Sequence, residues 1–120
     1  MKNVTLVIGA STNPNKYSNI AIKRLADKEM QVVALGLRKG TVSGITIDEE
    51  KKDYKNIDTV NLYLNPKRQE DYYSYIISLK PRRVIFNPGT ENTEFVKLLQ
   101  ENNIESEIAC SLVLLSINQY

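Results

Sequence analysis

Val4-Thr5-Leu6-Val7-Ile8-Gly9-Ala10-Ser11 is the stretch that decides the fold, and the polar run Thr12-Asn13-Pro14-Asn15-Lys16-Tyr17-Ser18 follows it. A continuous apolar run that stops at a glycine predicts a β-strand buried on both faces. The polar run predicts a loop, and the periodic apolar residues after Ser18 predict a helix. A strand, a glycine turn and a helix N-terminus are how α/β sheets present backbone amides to phosphate groups.

The composition of the chain excludes several classes of function. Its 120 residues, 42% of them hydrophobic, predict one domain over residues 1–120 with its own core. The formal net charge of +2 gives no reason to expect a nucleic-acid or membrane partner. A single cysteine and no histidine remove Ser-His-Asp and Cys-His catalysis and the commonest zinc ligand sets, so no metal site is expected. We expect a soluble protein of the cytoplasm.

Apolar runs along the chain predict five strands: Val4–Gly9, Gln31–Leu35, Thr59–Leu64, Arg83–Phe86 and Glu105–Ala109. Four helices are predicted to follow them: Ser18–Lys28 with Ser18 as N-cap, one from Asn65-Pro66 to Leu79, one capped by Asn92 or Thr93, and a short one over Cys110–Ile117. This alternation predicts a Rossmann-like, doubly wound, mostly parallel α/β sheet in the order 3-2-1-4-5, with helices on both faces.

One segment, Lys39–Asn56, fits this alternation less neatly. Val42–Ile47 is interpreted as a small turn-linked strand, and the charged residues Asp48–Lys55 as one exposed helical turn.

The ligand crevice of such a sheet lies beyond the carboxyl ends of its strands. The first of these ends, Gly9-Ala10-Ser11, has only the first glycine of the G-x-G-x-x-G pattern. It is either a tight turn without a ligand or a phosphate seat made of backbone amides and the Ser11 hydroxyl. In the second case a side chain in place of the Gly9 hydrogen is expected to crowd the phosphate.

Two further strand ends carry candidate binding residues. The second strand is followed by Arg38 and Lys39, where an NAD-binding fold places an acid. Two cations there suit a nucleotide with an extra ribose phosphate, either coenzyme A or NADP, unless the loop is merely solvated. Pro88 and Gly89 follow the fourth strand and form either the opposite crevice wall or an ordinary turn.

The segments Val7–Ser18 and Phe86–Asn92, followed by Cys110, give the chain a family resemblance. It resembles the small stand-alone CoA-binding domain proteins, which are similar to the CoA-binding domain of the succinyl-CoA synthetase alpha subunit. The resemblance implies a Rossmann-like fold that holds CoA over the first loop, without an established reaction. It places Arg38 near the adenosine end and these residues at or beside the phosphates: Gly9, Ala10, Ser11, Asn13, Lys16, Tyr17 and Ser18.

The chain also departs from that family. Many relatives have an Asn-Pro pair after the second strand, where this chain has Leu37-Arg38. Without a histidine it cannot form the phosphohistidine that the synthetase uses.

The function predicted from the sequence is binding of CoA or an acyl-CoA by a module without catalytic residues. Glu91 is the only carboxylate expected beside a strand end, which argues against acid–base catalysis. The alternatives are an NADP-binding enzyme or sensor, and a protein-association scaffold with an empty crevice. A homodimer or a partner protein is compatible with the sequence. Cys110 is either a small core residue or a thiol that the arm of CoA reaches, where a mixed disulfide would form under oxidising conditions.

Overall fold

The computed structural model describes residues 3–120 and shows an α/β fold. Its strands are β1 (Val4–Ala10), β2 (Gln31–Gly36), β3 (Gly40–Val42), β4 (Ile45–Asp48), β5 (Ile57–Leu62), β6 (Arg83–Phe86) and β7 (Glu105–Ile108). Its helices are α1 (Tyr17–Asp27), α2 (Pro66–Gln69), α3 (Tyr73–Leu79), α4 (Thr93–Glu101) and α5 (Ser111–Ser116). A single 3-10 turn, Glu70–Tyr72, joins α2 to α3.

The seven strands form one sheet in the order β3-β4-β2-β1-β5-β6-β7, in which only the β3–β4 pair is antiparallel. The prediction of a mostly parallel α/β sheet is confirmed. The prediction that this sheet has five strands in the order 3-2-1-4-5 was wrong. The predicted third strand, here β5, pairs with β1 and not beyond β2. The place beside β2 belongs to β4, the second strand of a short hairpin. Without β3 the sheet contains six parallel strands, in the order β4-β2-β1-β5-β6-β7. Numbered one to six along the chain, they have the order 3-2-1-4-5-6, which also occurs in dinucleotide-binding proteins.

Alternate residues of β1 divide the interior into two cores, because neighbouring side chains of a strand point to opposite faces. Leu6 and Ile8 belong to the core that α3 and α4 cover. Val7 belongs to the core that α1 and α5 cover. The prediction of helices on both faces is therefore confirmed.

Two of the five helices described between residues 3 and 120, α2 and α4, have a side-chain cap at the N-terminus. The Asn65 side chain accepts a hydrogen bond from the Arg68 amide at 2.9 Å, and Asn92 accepts one from the Phe95 amide at 3.1 Å. The prediction of Ser18 as a cap was wrong. Lys16 holds the N-cap position of α1, and Ser18 is buried inside the first turn.

Two predicted helical segments also differ from the structure. The helix predicted to run to Leu79 is interrupted by the 3-10 turn Glu70–Tyr72. Residues 49–56 contain no helix. Side chains and backbone tie this segment down instead, because the Tyr54 hydroxyl donates to Asp48 and the Tyr75 hydroxyl donates to the Lys52 carbonyl at 2.5 Å.

Gly9 is required by its backbone angle and by its neighbour. Its φ is +94°, a backbone conformation that is strained for any residue with a Cβ. A Cβ built there would lie 3.0 Å from the carbonyl carbon of Tyr63, just after β5. The positive φ agrees with the expectation that a Cβ here would disturb the turn, and the backbone that follows β5 takes up the space that a side chain would need.

Substituting Gly9 and Gly89 separates these two requirements. Gly89 also has a positive φ, +90°, but a Cβ there would meet nothing within 4 Å. We expect Gly89→Ala to lower the free energy of unfolding by about 1–2 kcal/mol, the conformational penalty alone. Gly9→Ala should lose a further ~1–3 kcal/mol through overpacking against Tyr63. Urea unfolding measures both, and equal losses would contradict the packing argument.

The ion pair between β5 and β6 should make stability depend on pH. The Arg82 guanidinium lies 2.9 Å from Asp58 and holds the pKa of that carboxyl below its ordinary value of 3.8. A depressed folded-state pKa stabilises the fold above that ordinary value and loses its effect as pH falls through the folded-state pKa.

We expect Arg82→Gln to be less stable than the parent at pH 7 by up to about 1 kcal/mol, the range of exposed pairs. This difference should vanish well below pH 3.8, the ordinary value. Thermal unfolding at several pH values measures this difference in stability. A difference that stays constant with pH would show that Arg82 does not act through the charge of Asp58.

Candidate functional site

The carboxyl ends of the parallel strands lie side by side along one edge of the sheet, which is distinct from its outermost strands. The strand order decides which loops are neighbours along this edge. Along this edge lie the loop after β2 with Arg38 and Lys39, the first loop after β1, Tyr63 after β5, Asn87–Gly89 after β6, and Cys110 after β7. The candidate residues predicted from the sequence therefore share one edge.

The crevice on this edge lies between β1 and β5. After β1 the chain turns toward α1 on one face, and after β5 it continues through α2 to α3 on the other. Ligands of open α/β sheets bind at such a point, where successive connections leave to opposite faces. The backbones at Gly9 and Tyr63 approach closely at this point, and the Tyr63 amide donates to the Ile8 carbonyl at 2.9 Å.

The first loop, residues 11–16 between β1 and α1, is shaped by its own side chains. The Ser11 hydroxyl accepts a hydrogen bond from the Asn13 amide at 3.0 Å, and the Asn13 side chain accepts one from the Asn15 amide at 2.9 Å. The buried Asn19 donates to the Ser11 carbonyl at 2.9 Å, which ties the loop to α1. The Ser11 hydroxyl keeps its own proton for a ligand acceptor.

The N-terminus of α1 has the electrostatics of an anion site. Its N-cap, Lys16, makes no side-chain capping bond, and the first turn contains no acid. The amides of Tyr17 and Ser18 and the positive end of the helix dipole are therefore open to an external acceptor. Ala10 and Ser18 are buried, so their side chains are withdrawn from the surface.

The loop that carries Arg38 and Lys39 is packed against the first loop. A Cβ on Gly36 would lie closer than 3.0 Å to the Ala10 carbonyl oxygen, and one on Gly40 would lie as close to the Thr12 side chain. These two glycines let the backbones approach. Both cations between them are exposed, and within residues 3–120 neither forms an ion pair.

The opposite wall of the crevice is built on buried amides. Asn87 donates to the side-chain oxygen of Asn61 and to the Leu62 carbonyl, the latter at 2.9 Å, and it accepts from the Ser111 amide at 2.8 Å. Pro88 and Gly89 follow it and are exposed. Cys110, which precedes Ser111, is a free and half-buried cysteine.

Sequence reasoning missed Tyr63 and the Asn61–Asn87–Ser111 network. Asn61 had a signal, since an amide inside an apolar strand must find partners. Tyr63 had none, because its contact with Gly9 depends on strand order. Burial raises the pKa of Tyr63 above its usual range, and the nearby Ser111 hydroxyl offsets only part of that rise. Within residues 3–120 the buried Tyr63 hydroxyl has no hydrogen-bond partner.

A groove of about 820 Å³ lies elsewhere, between α4 and the outer edge of β7. Glu105 and Glu107 line it, and carboxylates repel phosphate, so the crevice suits an anionic ligand better. Within residues 3–120 no group of three metal-ligating side chains occurs. In the same range no helix is long and apolar enough to cross a bilayer.

A helix N-terminus without a side-chain cap at this point of an α/β sheet, with exposed cations beside it, is typical of proteins that bind nucleotide cofactors. The chain belongs to the CoA-binding domain family, whose model, described as "CoA binding domain", matches residues 3–116. This confirms the family resemblance drawn from the sequence. No curated protein matched the chain.

Several solved structures share this fold. The crystal structure of an uncharacterised protein is 45% identical, with a TM-score of 0.95 over 100% of this chain and 99% of its own. A hypothetical protein from Pyrococcus horikoshii OT3 is 27% identical, with a TM-score of 0.81 over 93% and 80%. A protein from Thermus thermophilus is 19% identical, with a TM-score of 0.85 over 99% and 91%, a likeness of fold alone.

Proposed function

We propose that this protein binds CoA or an acyl-CoA across the crevice between β1 and β5, as a Rossmann-like module without catalytic residues of its own. Membership of the CoA-binding domain family supports the ligand class. The observation that carries the proposal is the uncapped N-terminus of α1, with two exposed cations held beside it by Gly36 and Gly40.

The pyrophosphate of CoA fits the first loop in this proposal. Its oxygens accept hydrogen bonds from the Tyr17 and Ser18 amides and from the Ser11 hydroxyl. Lys16 and Asn13 are exposed and flank this position. The loop is already folded by its own hydrogen bonds, so little conformational entropy is lost on binding.

The 3′-phosphate of CoA distinguishes the ligand from NAD. Arg38 and Lys39 bind this phosphate in the proposal, because the loop after β2 lies beside the first loop and carries no acid. The arm of CoA then extends the other way, past Tyr63 toward Gly89 and Cys110. NADP also carries an extra ribose phosphate, and Arg38 and Lys39 make it the second candidate.

Titration calorimetry with CoA, dephospho-CoA, NADP and NAD tests the proposal. A phosphate held by charged hydrogen bonds contributes roughly 1.5–3 kcal/mol, so CoA should bind about 10- to 150-fold tighter than dephospho-CoA. CoA should also bind tighter than either dinucleotide. The double variant Arg38→Ser, Lys39→Ser should bind CoA and dephospho-CoA alike.

A matched control removes the same charge elsewhere. Lys23 on α1 and Lys97 on α4 are exposed, and Lys23→Ser with Lys97→Ser should keep the preference for CoA over dephospho-CoA. Equal binding of CoA and dephospho-CoA by the parent would remove Arg38 and Lys39 from the site. Tighter binding of NADP than of CoA would favour the second candidate, and no binding of any of the four would refute the proposal.

A further inference from the structure

The side chain of Asn87 joins two segments that the proposed function places along the arm of CoA. It is 2% exposed and bonds the end of β5 through Asn61 and Leu62. Its oxygen accepts from the Ser111 amide at 2.8 Å. One residue thus links the start of the Pro88–Gly89 turn to the first residue of α5.

This bond replaces a local cap. Cys110 occupies the N-cap position of α5, and its side chain makes no capping bond. The first amide of α5 would otherwise lack an acceptor, which a short helix tolerates poorly. Asn87, distant in sequence, supplies that acceptor, so the position of Cys110 and α5 depends on the loop after β6.

Other bonds join the same two segments less directly. The Ser111 hydroxyl donates to the Asn61 side-chain oxygen at 2.8 Å, and that oxygen also accepts from the Asn87 amide group. The Ala109 amide donates to the Phe86 carbonyl at 3.1 Å, which holds the end of β7 beside the end of β6. Within residues 3–120, the bond from the Ser111 amide is the one that reaches the Asn87 side chain directly from α5, so it fixes the first residue of this helix against the loop after β6.

We propose that Asn87 is a positioning residue for the arm end of the site, because its side chain holds the Pro88–Gly89 turn and Cys110 in one fixed arrangement. This inference rests on the proposed function. It deepens that function by separating the residues that hold the nucleotide from those that hold the arm.

Two substitutions at Ser111 isolate the bond. Ser111→Ala and Ser111→Pro both remove the hydroxyl, but only proline removes the amide hydrogen that Asn87 accepts. The backbone accepts proline here, because this is the first helical residue and Cys110 before it is already extended, at φ −93° and ψ 115°. The proline Cδ takes the place of the amide hydrogen that lies against the Asn87 oxygen, so the Asn87 side chain must turn away from α5. Circular dichroism and thermal unfolding establish that both variants are folded.

The two variants are titrated with CoA and with 3′-phospho-ADP, which lacks the arm. Ser111→Pro should bind CoA roughly fivefold more weakly than Ser111→Ala, because ligand binding must then supply the free energy that the cap contributed to ordering α5. It should bind 3′-phospho-ADP equally well. Asn87→Ala should show the same selective loss. Asn92→Ala removes a different buried amide, which caps α4, and should lower thermal stability without changing the ratio of the two affinities.

The outcomes separate the inference from the proposed function. If the parent binds both ligands and Ser111→Pro matches Ser111→Ala for both, Asn87 does not position the arm. A parallel loss of both ligands in Ser111→Pro would assign Asn87 a general structural role and also overturn the inference. If the parent binds neither ligand, the proposed function fails, and the inference fails with it.

Discussion

The close approach of Gly9 to Tyr63 is the constraint on which the rest of the edge depends. It lets β1 end against the backbone that leaves β5, at the point where the two following connections go to opposite faces. A bulkier residue would push these strands apart and move the first loop away from the helix that follows it. The crevice, the open helix N-terminus and the cationic loop all take their places from this contact.

The two sides of the crevice are built by different means. The phosphate side consists of exposed loops, shaped by side-chain-to-amide bonds within Ser11–Asn15 and by glycine contacts with the loop after β2. The proposed arm side rests on buried amides that join the ends of β5 and β6 to α5. Exposed loops suit a charged group that enters from solvent and returns to it. Buried, fully bonded amides suit a wall that keeps its shape.

Much of the fold was predictable because local signals and the tertiary structure agree. Apolar runs marked β1, β2, β5, β6 and β7, and Asn65 and Asn92 marked helix starts. The strand order was not, because β4 is a short strand whose place beside β2 depends on a hairpin. The first loop, Arg38 and Lys39 were identifiable from their residue types, whereas Tyr63 and Asn87 owe their positions to contacts between strands distant in sequence.

Backbone amide chemical shifts during a titration with CoA report where on the protein the ligand binds. Binding beside the first loop should give the largest changes at Ser11, Tyr17 and Ser18 and further changes at Arg38 and Lys39, while Glu105–Ile108 beside the other groove stay unchanged. Changes confined to Glu105–Ile108 and α4, with a silent first loop, would contradict it and move the ligand to the far edge of the sheet.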